Sequence, residues 1–217
     1  MMLLDTYKYS FQKQLLGSNK IIHYLSHHDG GGKYYIENIL KDFKFPKFKS
    51  LMEMCCGPGF MGYYLMDKFD LSEVQLVDIN YDLEETIKLT NKENNWNGIF
   101  HFSNGLLNYN GPKVDFIISN PPHCKNREEF EQCSNGNVNQ ENILLDENLN
   151  FHKNFLCNLD KALNDDGYLM LFENKEFIPI QVILTISKVS NYRLELLDSE
   201  DVDKDTYWAL YKKRGIF

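Results

Sequence analysis

Asn120-Pro121-Pro122-His123 is the stretch of this chain best equipped for chemistry, and it follows directly on the apolar run Val114-Asp115-Phe116-Ile117-Ile118-Ser119. The run reads as a buried strand, and the two prolines turn it into a rigid corner. A carboxamide at that corner presents one acceptor oxygen and two N–H donors. The prolines have no N–H of their own, so the Pro121 carbonyl is free to point outward as a second acceptor. An amide oxygen beside a backbone carbonyl is the pair needed to accept both hydrogens of a planar NH2 group. His123 adds an imidazole, which can stack on a flat acceptor or take up a proton near neutrality. The plainer alternative is an Asn that caps its own turn.

A second constellation lies upstream. Ser50-Leu51-Met52-Glu53-Met54-Cys55-Cys56-Gly57-Pro58-Gly59-Phe60-Met61-Gly62 reads as a strand, a glycine turn and the start of a helix, and its glycines let a ligand approach the backbone closely. Gly57 to Gly62 has the literal spacing of the dinucleotide fingerprint, so a nicotinamide cofactor is one reading. Val74-Gln75-Leu76-Val77-Asp78-Ile79 is a second strand ending in a carboxylate suited to a ribose diol. A nucleoside-containing cofactor is therefore expected across these two strand ends.

The elements that must hold these groups alternate between strand and helix patterns, which predicts a parallel sheet with helices on both faces. Strands are expected at about 50–55, 74–79, 99–103, 114–119 and 167–173, and helices at about 60–69, 82–94, 149–163 and 177–188. Asp82 is the expected N-cap of the second helix, and Asp166-Gly167 a turn into the fifth strand. Two strand-like runs, 192–197 and 206–211, flank an acidic Asp198-to-Asp205 loop and predict a closing antiparallel pair. Residues 1–46 read as a helical N-terminal extension, with an amphipathic helix around Tyr7 to His27, a break at Gly30-Gly31-Gly32 and a second helical run around Tyr34 to Phe43. Residues 47–217 form the main domain. The polar stretch 124–148 is expected to be a lid or substrate loop.

In this order, the parts resemble the class I S-adenosylmethionine-dependent methyltransferases over about residues 48 to 212. Asn-Pro-Pro-His resembles the Asn-Pro-Pro-aromatic motif of the branch that methylates planar amide or amine nitrogens. The resemblance implies a Rossmann-like, doubly wound α/β sheet of seven strands with a C-terminal antiparallel pair. It also implies S-adenosylmethionine as cofactor, S-adenosylhomocysteine as product, and catalytic roles for Asn120, Pro121, Pro122 and His123. Glu53 matches the acid facing the methionine end, Cys55, Cys56, Gly57 and Gly59 the glycine turn, and Asp78 the ribose-binding acid. Ile79 is expected on the adenine ring, and Asn104 with Gly105 at the adenine amine. Leu169-Met170-Leu171-Phe172-Glu173 resembles a strand of the protein-glutamine methyltransferases that modify peptide release factors. A protein glutamine amide is thus the first acceptor, and adenine in RNA or DNA the second. A non-catalytic S-adenosylmethionine-binding module is a third reading, because His123 and Cys55 depart from the usual residues.

Bulk properties set outer bounds. The 217 residues, 43% apolar and 14% aromatic, suffice for one substantial core plus a small appendage. No run of eighteen apolar residues and no secretory layout occurs, so a soluble cytoplasmic protein with no membrane partner is expected. Five cysteines at irregular spacings fit reduced thiols. The net charge of −8, with Arg only at 127, 193 and 214, shows no basic face and favours a protein partner over nucleic acid. Adjacent His27-His28-Asp29 cannot easily converge on one ion, so no metal site is expected.

Overall fold

A computed structural model describes residues 9–15, 18–25, 31–134 and 141–215. Five strands, β3 (Leu51–Met54), β4 (Val74–Asp78), β5 (Gly98–Phe102), β6 (Val114–Ser119) and β7 (Leu163–Asn174), run parallel. The antiparallel pair β8 (Tyr192–Asp201) and β9 (Thr206–Gly215) completes a seven-stranded sheet of order β5-β4-β3-β6-β7-β9-β8. All four residues of β3 are buried and β6 is nearly so, the mark of strands covered on both faces. Helices α2 (Phe60–Lys68), α3 (Leu83–Asn94), α6 (Asn150–Cys157) and α7 (Ile180–Ser187) provide that cover, giving the expected Rossmann-like α/β architecture.

The strand order fixes where a ligand can go. From β3 the chain winds outward through β4 and β5, then crosses back to lay β6 on the other side of β3. The crevice beyond the carboxyl ends of β3 and β6 is therefore the switch point of the sheet. Both sequence motifs sit there, Cys55–Gly59 after β3 and Asn120–His123 after β6.

Four expectations need correction. The N-terminal helix is a hairpin, β1 (Tyr9–Leu15) antiparallel to β2 (Ser18–Leu25). Cross-strand pairing, from Tyr9 with Leu25 to Lys13 with Ile21, overrides the helical reading of the single segment. The helix over 149–163 stops at Cys157, where the Asn158 side-chain NH2 donates to the Asn154 carbonyl at 2.8 Å and Asn158 leaves helical geometry; a 3-10 turn (Leu159–Lys161) follows and Leu163 already belongs to β7. Asp82 holds the N-cap position of α3 without a side-chain cap bond. The first half of the Asp198–Asp205 segment is strand, paired as far as Asp201 with Tyr207, and only residues 202–205 form the loop.

The second N-terminal run is helical, as α1 (Gly32–Tyr35) continuing into a π-turn over Ile36–Leu40. The extension is tied to the sheet layer: the His23 N–H donates to Thr90 Oγ1 of α3 at 3.0 Å, and Ile22, Leu25, Tyr35 and Ile36 share a core with Phe60, Phe172 and Trp208. Segment 124–148 contains α4 (Arg127–Ser134), α5 (Glu141–Leu144) and a 3-10 turn over Glu147–Leu149. Among the described residues no helix is long and apolar enough to cross a membrane. His27-His28-Asp29 and Gly30 lie outside the described residues.

Candidate active site

A cavity of about 250 Å³ opens at the switch point. Its walls include Glu53, Cys55, Cys56, Gly57, Asp78, Ile79, Asn104, Gly105, Asn120 and Pro122, so nearly every residue singled out from the two motifs meets in one place. Gly59, Pro121 and His123 do not line it. Gly59 instead shapes the turn: its φ of 86° is left-handed, and a Cβ there would lie 3.0 Å from the Tyr63 ring. Cys55 also has positive φ, 54°, and has already left the strand. Cys55 and Cys56 both border the cavity. Burial pushes both thiols well above their ordinary range, which keeps them neutral.

Two acids flank the glycine turn. Asp78 ends β4, and its oxygens accept the Gly57 and Asn80 N–H groups, each at 2.9 Å. Burial raises its carboxyl against those bonds. Glu53, on β3, is 2% exposed, and its Oε2 accepts the Gly62 N–H at 2.7 Å. Helix α2 comes this close because residue 62 has no side chain; a Cβ there would stand 2.9 Å from Glu53 Oε2. Burial, opposed by the Gly62 and Met61 N–H groups, pushes the Glu53 carboxyl up to about 8. No Lys or Arg among the described residues forms an ion pair with Glu53.

On the other side, Asn120 is held from the N-terminal extension. The Tyr35 hydroxyl donates to Asn120 Oδ1 at 3.3 Å, and the Tyr35 ring stacks on Phe172 with centroids 4.1 Å apart. The carboxamide is thereby oriented by a residue 85 positions away. Ser119, just before it, is buried and donates to the Met54 carbonyl at 2.8 Å, which ties the ends of β6 and β3 together.

The Nδ1 edge of His123 faces the interior, while the side chain stays 18% exposed beside the cavity. Its Nδ1 lies 3.2 Å from Glu173 Oε2; Glu173 Oε1 lies 3.0 Å from His152 Nε2, and His152 Nδ1 lies 2.6 Å from Asp146 Oδ2. Asp146 also accepts the Phe151 N–H of α6 at 2.6 Å and lines the cavity beside Ile143, Leu145 and Glu147. The end of the 124–148 segment, from Ile143 to Glu147, thus forms part of the wall of the site. Sequence reading missed Tyr35, Asp146 and His152 as site residues. Glu173 drew notice only through its strand. A polar residue directly after an apolar run, as Asp146 is after Ile143-Leu144-Leu145, was the one available signal.

Comparison with known proteins adds a family. The profile of the methyltransferase small domain matches residues 24–192. A ribosomal RNA small subunit methyltransferase C of Buchnera aphidicola is 30% identical over 137 residues, 58% of this chain and 41% of that protein. A release factor glutamine methyltransferase of Borreliella burgdorferi is 29% identical over 131 residues, 57% of this chain and 44% of that protein. The chain thus spans less than half the length of these curated relatives. Among solved structures, the T. thermophilus 16S rRNA N2 G1207 methyltransferase, in complex with AdoMet and guanosine, superposes with a TM-score of 0.61 at 14% identity, covering 95% of this chain and 50% of that one. At that identity the likeness speaks for the fold.

Proposed function

The chain belongs to the methyltransferase small domain family, and on that basis we propose that it transfers the methyl group of S-adenosylmethionine to a planar NH2 group gripped by Asn120 and Pro121. The observation that carries this reading is that one cavity joins the Glu53 and Asp78 carboxyls to the carboxamide of the Asn-Pro-Pro turn.

The donor set fits the cofactor. Glu53 is a buried acid that accepts backbone N–H groups of α2 and has no ion-pair partner among the described residues, the counter-charge an ammonium group would supply. Asp78, with the Gly57, Ile79 and Asn80 N–H groups on its carboxylate, still has acceptor capacity for a ribose diol. Ile79, 47% exposed at the cavity edge, offers an apolar face for an adenine, with Asn104 and Gly105 beside it. When bound, the cofactor supplies a methyl group already activated on a sulfonium.

The protein's task is then alignment and charge placement. The lone pair of an amide or aryl amine nitrogen is delocalised. By accepting its two hydrogens, Asn120 Oδ1 and the Pro121 carbonyl return density to the nitrogen as bonding changes. Tyr35 keeps Oδ1, and not the amide NH2, on the accepting side.

The first acceptor is a protein glutamine side chain. The net charge of −8 disfavours a phosphate backbone, and the Borreliella relative is by name a release factor glutamine methyltransferase. A base amine in RNA is the second, supported by the Buchnera relative, by name a ribosomal RNA methyltransferase. Incubating the purified chain and tritiated S-adenosylmethionine with a lysate, then dividing the product between protease and ribonuclease, tests both. Label released by protease supports the amide reading, and label released by ribonuclease replaces it with the base amine. Absence of macromolecular label with any lysate refutes transfer to either.

A further inference from the structure

Asp146, His152, Glu173 and His123 form one continuous hydrogen-bonded chain linking the 124–148 segment, α6, β7 and the Pro-Pro turn. Three of its side chains are 0 to 1% exposed, and only His123, at 18%, reaches the surface. His152 lies between two carboxyl groups, and as carboxylates these only accept, so both its nitrogens then donate and it is an imidazolium. Burial opposes that charge, but Glu173 and Asp146 outweigh it and raise His152 to about 9. Burial likewise opposes an ionised Glu173, and His152 and His123 together hold it below its ordinary range. Glu173 Oε1 is taken by His152, so Oε2 is left to accept from His123 Nδ1. The remaining titratable side chains near Glu173 are Tyr35, Tyr207, Tyr211 and Cys55, all raised by burial and therefore neutral.

We propose that His123 takes the proton released by the methylated nitrogen, and that Glu173 positions it by binding its Nδ1–H, which leaves the Nε2 lone pair as its accessible one. The catalytic half of this proposal rests on the methyl-transfer reading above. The acceptor nitrogen's lone pair forms the N–C bond while the C–S pair returns to sulfur. The nitrogen's surplus proton then moves to Nε2, and the resulting imidazolium is balanced by Glu173. Asp146 and His152 keep that balance: without the His152 cation, two buried carboxylates would repel, and one would take up a proton. In this way the wall that shapes the cofactor cavity also sets the orientation of the acceptor turn.

Glu173→Gln is the test, because a Gln oxygen can still accept from His152 while its NH2 can only donate to His123 Nδ1. That swap drives His123 into the opposite tautomer, with Nε2 protonated and useless as a base. In wild-type protein labelled with 15N-histidine, with the His123 resonances identified by their loss in His123→Gln, Nδ1 is expected to be protonated and Nε2 bare; Glu173→Gln is expected to reverse them. The same substitution is expected to lower kcat by about 100-fold, the lower end for loss of a general base, with the KM for S-adenosylmethionine within about three-fold. Wild-type spectra with Nδ1 bare overturn the positioning role whether or not any acceptor has been found, so they are independent of the function. A reversed tautomer with undiminished kcat overturns the catalytic role. Should Glu173→Gln not fold, the wild-type spectrum decides the positioning role, and the kcat of His123→Gln, expected to fall by a similar factor, decides the catalytic one.

Discussion

Replacement of Glu53 by Gln tests the cofactor end of the site most directly. The carboxyl is raised to about 8 by burial, so in the cofactor-free protein at neutral pH it is mostly protonated. An ammonium group binds the ionised form, and binding must then expel the proton. The apparent affinity for S-adenosylmethionine is expected to drop about ten-fold per pH unit below about 8, reaching roughly 100-fold at about pH 6. About one proton is released per cofactor bound there. Glu53→Gln cannot ionise, so its affinity is expected to be flat across this range. At about pH 8 it should bind roughly 10-fold more weakly than wild type, the lower value of one charge-assisted bond. Stability moves the opposite way. A folded-state value above the unfolded one contributes stability that is complete below about 4.5 and is lost as pH rises through about 8. Cofactor-free Glu53→Gln should therefore escape the loss of Tm that the wild type shows as pH rises from about 4.5 to about 8. Titration calorimetry with S-adenosylmethionine and S-adenosylhomocysteine, in two buffers of different ionisation heat, reads affinity and proton release together. A wild-type affinity independent of pH, or a Gln variant with the wild-type slope, refutes the assignment of Glu53 to the ammonium.

Asn120→Ala is expected to reduce methyl transfer by at least about 100-fold, as loss of a preorganised transition-state contact does, while cofactor affinity measured by calorimetry stays within a few-fold. Asp78→Ala should do the reverse, weakening the cofactor by about 10- to 100-fold through loss of a charged acceptor and freeing the Gly57 and Asn80 N–H groups it now fixes. Tyr35→Phe removes one neutral hydrogen bond at 3.3 Å, so kcat/KM for the acceptor should fall by about five-fold, read in a steady-state assay with the cofactor dissociation constant unchanged.

Much of the framework was legible in the sequence because it is local. Val74 to Asp78 and Val114 to Ser119 are apolar runs too short for helices, and the strands they predict are bounded within a residue of those observed. Glycines and prolines then mark the corners where β3 and β6 end, and the doubly wound order brings those corners together. Placing Glu53, Asp78 and Asn120 around one cavity follows from that topology.

Tertiary structure decided what depends on partners distant in the chain. Whether the first segment is helix or hairpin turned on pairing between Tyr9 and Leu25, which single-segment periodicity does not reveal. The Tyr35 bond to Asn120 spans 85 residues, and the links from Glu173 to His123 and His152 span 50 and 21. Glu53 read as an acid at a strand end; only the closure of α2 over β3, with Gly62 against its carboxyl, removed the water that keeps such a group ordinary. Sequence chose the side chains and the corners, while desolvation and long-range pairing determined their protonation and orientation.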